Sequence, residues 1–413
     1  MKILMVNKFL YPRGGSESYM LKLAAELKAR GNEVEYFGMY DEKNTVGNSA
    51  GEYTQNMDFH SKSLSRFLYP FKIIYSKEAR KKIGRVLDDF KPDIVHMNNI
   101  NFQLTPSVIY AVKERNIPLV QTVHDYQMLC PNHLMYNFRK NEICTKCVGK
   151  SKISCIKNRC IHGSIVKSII GAAEYYTYSL LKTYKMVDLY ICPSKFLENK
   201  LNGTNKIYNG KTFMIHNFVE EPPKKLNKSD KPYIVFIGRF SAEKGVELLG
   251  KTARLLPDIH FKAVGSGPDA DALSGIENVE LTGFLTGKAL TEVLSGASAL
   301  IAPSVCFENC PLSILEAQSM GIPVITMNYG GMAELAEEGV TGTLAERAEP
   351  ECLANAVRRL FDGGEYEKIK KSCEERKNKI LSVREYADIL TDKYKELSGG
   401  GEYAKGKHYS AGV

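Results

Sequence analysis

The sequence predicts an α/β chain built from two doubly wound parallel sheets, and three observations carry that expectation. Short apolar runs alternate with amphipathic helical runs from end to end, the pattern left by parallel strands covered by helices on both faces. At 413 residues the chain is too long for one ordinary core. The polar, proline-rich stretch Glu220-Glu221-Pro222-Pro223-Lys224-Lys225 interrupts the alternation, as a linker does. The expected domains are residues 1–217 and 233–383, joined by a linker at 218–232. A helix at 384–398 is placed to pack back on the first domain, and 399–413 reads as a frayed tail.

In the first domain Lys2–Val6, Glu33–Phe37, Asp93–Met97, Leu119–Val123, Leu189–Cys192 and Thr212–His216 read as strands. Ser16–Arg30, Lys77–Phe90 and Ser164–Met186 read as long helices. In the second domain the strands are Tyr233–Ile237, His260–Val264, Val279–Leu281, Ala299–Ala302 and Pro323–Thr326, with helices beginning near Glu243, Gly287, Pro311 and Glu351. An insert at about 126–163 interrupts the first domain.

Charge is unevenly placed. Residues 1–217 hold 32 Lys+Arg against 18 Asp+Glu, a net +14, and residues 218–413 hold 24 against 29, a net −5. A basic first half suits a membrane surface or a phosphorylated acceptor. No nucleic-acid-binding motif accompanies the charge, so nucleic acid is not expected as a partner. The first residues have strand length and lack the longer apolar region of a signal peptide, and no run approaches a membrane span. The expected location is cytoplasmic, with peripheral contact at the inner membrane face as an option.

The most informative stretch runs from Pro303 to Glu316. It follows the strand Ala299–Ala302, turns at two prolines and opens a helix at Pro311. Proline suits a first helical turn, whose free N–H groups and dipole together form an anion site. Glu308 precedes that cradle and Glu316 follows it, which suits a ligand with hydroxyls at both ends of a phosphate group, such as a nucleotide sugar. The loop Gly238–Gly245 ends another strand, and its Arg239 and Lys244 supply two cations able to hold a diphosphate. Phe284, after Thr282-Gly283, is placed to flank a base or to join the core.

Near the N-terminus Gly14 and Gly15 allow a close backbone approach, and Ser16 is placed to cap the following helix. The loop lacks the Gly-x-Gly-x-x-Gly pattern and a Walker lysine, which disfavours dinucleotides and ATP. His124 and Asp125 end the strand Leu119–Val123, and Asn98 and Asn99 end another strand of that sheet. Strand ends in such sheets are where ligands bind. His124 is expected to contact the transferred sugar, with Asn98, Asn99 and Asp125 on the acceptor side.

Taken in order, the glycine-rich first loop, His124, the Gly-Arg-x5-Gly loop with Lys244 and the Glu308-x7-Glu316 pair resemble retaining glycosyltransferase family 4. The resemblance covers most of the chain. It implies the GT-B fold, two Rossmann-like domains facing across a cleft, and a hexose transferred from a UDP- or GDP-sugar to a sugar or lipid-linked glycan. It also implies bacterial surface polysaccharide or glycolipid assembly. By that resemblance Arg239 and Lys244 bind the donor diphosphate, Glu316 the ribose and Glu308 the hexose, while Pro311 and Leu312 offer backbone contacts. Gly15 and His124 approach the reacting sugar. No cofactor is required for catalysis, because side-chain cations and helix N-termini replace a divalent metal. A GT-B epimerase or hydrolase is the alternative enzyme, and a partner-binding module without catalysis the alternative outside enzymes.

Five of the ten cysteines, Cys130, Cys144, Cys147, Cys155 and Cys160, fall in the insert. Cys144-x2-Cys147 followed by Cys155-x4-Cys160 has spacing compatible with a structural zinc site, with His133 or His162 as substitute ligands. Free thiols and disulfides are the alternatives. Between Lys62 and Arg85, basic residues interleave with Phe67, Tyr69, Phe71 and Tyr75, which suits an anionic membrane interface or a helix pair with a buried apolar face.

Overall fold

The computed structural model describes residues 1–55, 73–223 and 231–399. Its described residues divide into two compact units, the first comprising 1–55, 73–122, 178–190 and 383–399, the second 123–177, 191–223 and 231–382. The linker's Lys224–Asp230, the tail from Gly400 and the Lys62–Lys72 part of the basic stretch lie outside the described residues.

The strands are β1 (Lys2–Val6), β2 (Glu33–Phe37), β3 (Ile94–Met97), β4 (Leu119–Thr122), β5 (Tyr136–Asn137), β6 (Glu142–Ile143), β7 (Leu189–Cys192) and β8 (Thr212–Met214). They continue as β9 (Ile234–Ile237), β10 (Phe261–Val264), β11 (Val279–Gly283), β12 (Ala299–Ala302), β13 (Val324–Met327) and β14 (Gly342–Ala345). The first sheet has the order β2-β1-β3-β4-β7-β8 and the second β11-β10-β9-β12-β13-β14, while β5 and β6 form a small hairpin in the insert.

In the first unit β1 is parallel to β2, with Lys2 opposite Glu33, and to β3, with Ile3 opposite Ile94. Ile3, Leu4, Met5 and Val6 are all buried, as befits a strand covered on both faces. The first helix spans Gly15–Ala29, so Ser16 lies inside it and the N-cap is Gly14, without a side-chain cap. The capping expected of Ser16 is therefore corrected: its Oγ instead accepts from the Asn99 side-chain amide at 2.8 Å. Helix Lys77–Phe90 buries Ala79, Ile83, Val86, Leu87 and Phe90, so this part of the basic stretch turns its apolar face inward. Helix Val383–Ser398 packs on the first helix through Tyr386, whose hydroxyl lies 2.8 Å from that of Tyr19. His96 is a core residue, its ring nitrogens 2.5 Å from Tyr394 Oη and 2.7 Å from Thr122 Oγ1.

The second unit is organised by β9 and β12, its central pair. Sheet order reverses direction between them, and the loops that follow these two strands therefore open the crevice where doubly wound sheets bind ligands. Both strands are apolar and almost wholly buried. Helices Val246–Arg254 and Pro350–Phe361 cover the sheet with amphipathic faces, burying Leu248, Leu249 and Ala253 from the one and Leu353, Ala356, Val357 and Leu360 from the other.

Candidate active site

The loop after β9 runs through a single 3₁₀ turn, Ala242–Lys244, before its helix starts at Val246. Gly245 makes that possible. Its φ of +73° lies in the left-handed region, and a Cβ there would stand 1.9 Å from the Pro303 carbonyl oxygen in the loop after β12. The two loops are thus pressed together backbone to backbone, and the Val305 N–H donates to the Glu243 carbonyl at 3.0 Å. Gly331 brings the next loop equally close: a Cβ there would stand 1.6 Å from the Asn309 carbonyl oxygen.

Side chains meet across this seam. Lys244 Nζ lies 2.5 Å from Glu308 Oε1, and Ser304 Oγ donates to the same oxygen at 3.0 Å. Burial works against the Lys244 charge, yet the Glu308 carboxylate, with Cys306 and Glu243 nearby, outweighs it and raises the pKa above the ordinary lysine value. Asn309 ties the loop to the segment after β4, its amide donating to the His124 carbonyl at 2.9 Å. Burial lowers the His124 pKa to about 4, with Asp125 opposing, so its imidazole is neutral at physiological pH. Asp125 Oδ2 pairs with His133 Nδ1 at 3.2 Å.

These groups line one pocket of about 120 Å³, walled by His124, Asp125, His133, Lys244, Phe307 and Glu308 among others. Phe307 sits in an aromatic cluster with Phe196 and Tyr329, at centroid distances of 4.7 and 6.0 Å. Of the residues expected from the sequence, His124, Asp125, Lys244 and Glu308 are brought together here. Arg239 lies at the exposed end of β9, with no ion pair among the described residues. Pro311 is the N-cap, not the first helical residue, of helix Leu312–Ser319, on which Glu316 is half-buried. No side chain caps that helix. Phe284 is 73% exposed at the end of β11, outside the core. In the first unit, Asn99 N–H donates to Asn7 Oδ1 at 2.9 Å and Asn98 N–H to the Val6 carbonyl at 2.8 Å, fixing the loops behind β1 and β3.

A family profile described as Glycosyltransferase Family 4 matches residues 13–221, half of the chain. The chain belongs to that family. A second profile, Glycosyl transferases group 1, matches 231–363. The chain is 25% identical over 353 residues to an uncharacterized 42.6 kDa protein in the cps region of Klebsiella pneumoniae, covering 81% of this chain and 87% of that one. It is 27% identical over 234 residues to an uncharacterized glycosyltransferase of Methanocaldococcus jannaschii, covering 54% of this chain and 64% of that protein's length. Among solved structures, sucrose-phosphate synthase from Thermosynechococcus elongatus matches with a TM-score of 0.67 at 18% identity, covering 97% of this chain and all of that one. HepE of Anabaena in complex with UDP matches with a TM-score of 0.67 at 18% identity, covering 96% and 100%. These likenesses establish the GT-B fold for this family 4 glycosyltransferase.

The insert departs from expectation. Cys147, Cys155 and Cys160 share a small buried cluster, whereas Cys144 is half-buried outside it, so the expected four-thiol set is not gathered. Among the described residues no three His, Cys, Asp or Glu side chains are arranged to hold a metal ion, and the cysteines are free thiols. A hydrogen bond from Cys130 holds the Cys147 thiol down at about 7, against its own burial and with help from the Lys152 ammonium. Lys152 is itself fully buried, donating to the Leu129 carbonyl at 3.1 Å and to that of Cys147. His133, a substitute metal ligand by cysteine spacing, instead stands in the pocket with Asp125. It is eight residues from Asp125 in irregular chain, and no periodicity links the two.

Proposed function

We propose that this family 4 glycosyltransferase moves a hexose-type sugar, with retention and without a metal, from a UDP- or GDP-sugar to a sugar or lipid-linked glycan acceptor. The observation that carries the reading is the Lys244–Glu308 pair set beside a neutral His124 in one pocket at the switch point of the second sheet. HepE, of the same fold, is seen with UDP-glucose.

In this reading residues 233–383 hold the donor and residues 1–217 the acceptor. Lys244 and Arg239 hold the diphosphate, and the first N–H groups of helix Leu312–Ser319, behind Pro311, add a third positive pole. Together these balance the charge that grows on the departing nucleotide. Glu308 receives hexose hydroxyls and keeps Lys244 in place, while Glu316 receives those of the ribose. Neutral His124 can donate or accept at the transferred sugar without adding charge, and glycines such as Gly14 and Gly15 permit close approach of backbone to a ligand. Asp125, Asn98 and Asn99 face the acceptor, Phe284 the base. The transfer works at a cytoplasmic membrane face, where lipid-linked acceptors are found.

Proton NMR of the reaction tests this. Transfer predicts donor consumption that depends on added acceptor and a product with the donor's anomeric configuration. Consumption without acceptor would favour an epimerase or hydrolase, and an inverted product would refute retention.

A further inference from the structure

Helix Ile165–Leu180 carries an apolar face outward. At about 100° per residue, Ile165, Val166, Ile169, Ala173 and Tyr176 fall on one arc of the helix. That arc is the solvent side: Ile165 is 47%, Val166 60%, Ile169 48% and Tyr176 46% exposed. Ser168, Gly171, Ala172, Glu174 and Tyr178, on other faces, are buried. A surface helix ordinarily turns polar residues to solvent along such an arc. Single exposed apolar residues need no explanation, but a contiguous arc marks an interaction surface.

The insert extends the patch. Tyr176 Oη lies 3.1 Å from Ser151 Oγ and accepts from the Lys152 N–H at 2.9 Å, and the next residue, Ile153, is 54% exposed. At the helix's other end Ile161 N–H donates to Ser168 Oγ at 3.1 Å. Insert and helix are therefore one packed body with apolar side chains left outside.

Charge decides what covers them. Residues 139–177 contain eight Lys and Arg against two acids, a net +6. Lys146, Lys150, Lys157, Arg159 and Lys167 are exposed, while one of the two acids, Glu174, is buried. A second copy of the chain would set this charge against itself. We propose that the helix and insert dock the protein on an anionic lipid bilayer, with the apolar arc at the boundary of headgroups and acyl chains and the cations on headgroup phosphates. No described helix is long and apolar enough to cross a membrane, so this helix lies in the plane of the interface. Its role stands or falls independently of the sugar transferred.

Vesicle flotation of the purified full chain tests the proposal. The protein should float with phosphatidylglycerol-rich vesicles, not with phosphatidylcholine alone, and salt should weaken the association. Ile165→Ser with Ile169→Ser should reduce binding by about tenfold or more while the melting temperature stays near that of the parent. Lys157→Glu with Lys167→Glu should do the same through charge. Failure of the parent protein to float at low ionic strength would overturn the proposal, as would binding that both double variants retain. A dimer in light scattering that the isoleucine substitutions dissociate would also overturn it, assigning the patch to a second copy.

Discussion

The paired loops behind β9 and β12 and the insert behind β4 are held by different means. The paired loops are fixed through backbone: Gly245 and Gly331 admit carbonyl oxygens where any Cβ would collide, and the Lys244–Glu308 pair spans the seam. The insert is fixed through side chains, by buried thiols, the enclosed Lys152 and Tyr176. A backbone requirement leaves few acceptable residue types and so leaves a mark in the sequence. Side-chain packing in irregular chain is degenerate and leaves much less.

Two glycines test that contrast with the largest expected effect. Gly245→Val adds both a collision and a strained φ, and should cost on the order of 3 kcal/mol or more in urea unfolding. Gly149→Ala in the insert has a φ of +63° but its nearest neighbour, Thr204 Cγ2, is 3.9 Å away. Strain alone remains, about 1 kcal/mol. Equal costs would erase the distinction.

Two lysines come next. Lys244→Ala should lower kcat/KM by about two orders of magnitude, because it removes a charge aimed at the leaving diphosphate. Lys152→Met should leave kcat/KM near the parent value and instead cost about 1–3 kcal/mol in stability, since the Leu129 and Cys147 carbonyls each lose a donor. Steady-state kinetics and unfolding on both variants would show whether the roles separate this way or merge.

The smallest effect concerns pH. The folded state holds the His124 pKa at about 4, below the ordinary 6.5, so the unfolded chain binds the proton more readily. The resulting stability is present above about pH 6.5 and is lost as pH falls towards 4. With its partial exposure allowed for, the loss is on the order of 1–2 kcal/mol. His124→Asn should flatten this part of the profile, and an unchanged slope in the variant would show that other groups cause it.

Much of the fold was legible. Lys2–Val6, Glu33–Phe37, Leu189–Cys192 and Ala299–Ala302 are strands with the expected ends, because three are largely apolar runs and Glu33–Phe37 starts by alternating charged and apolar residues. Gly342–Ala345 was missed: Thr341 and Thr343 break its apolar run, and only pairing with β13 makes it a strand. The hairpin of Tyr136–Asn137 and Glu142–Ile143 is too short to show alternation. Helix Ser164–Met186 stops at Leu180 and resumes as a 3₁₀ turn at Thr183–Met186, after Lys182 adopts a left-handed φ of +54°. In the site, Lys244 and Glu308 were legible because they flank glycine and proline turns at strand ends. His133 was not, and cysteine spacing wrongly included Cys144, since which thiols meet depends on how the insert coils.

Calorimetric titration with UDP- and GDP-sugars tests the central claim most directly. One donor should bind to the parent protein, with its affinity falling by about tenfold or more in Lys244→Ala, as the loss of a charge-assisted hydrogen bond requires. Lys152→Met should leave that affinity unchanged. Equal donor affinity in the parent and Lys244→Ala proteins, or no binding of any such donor to the parent, would contradict it.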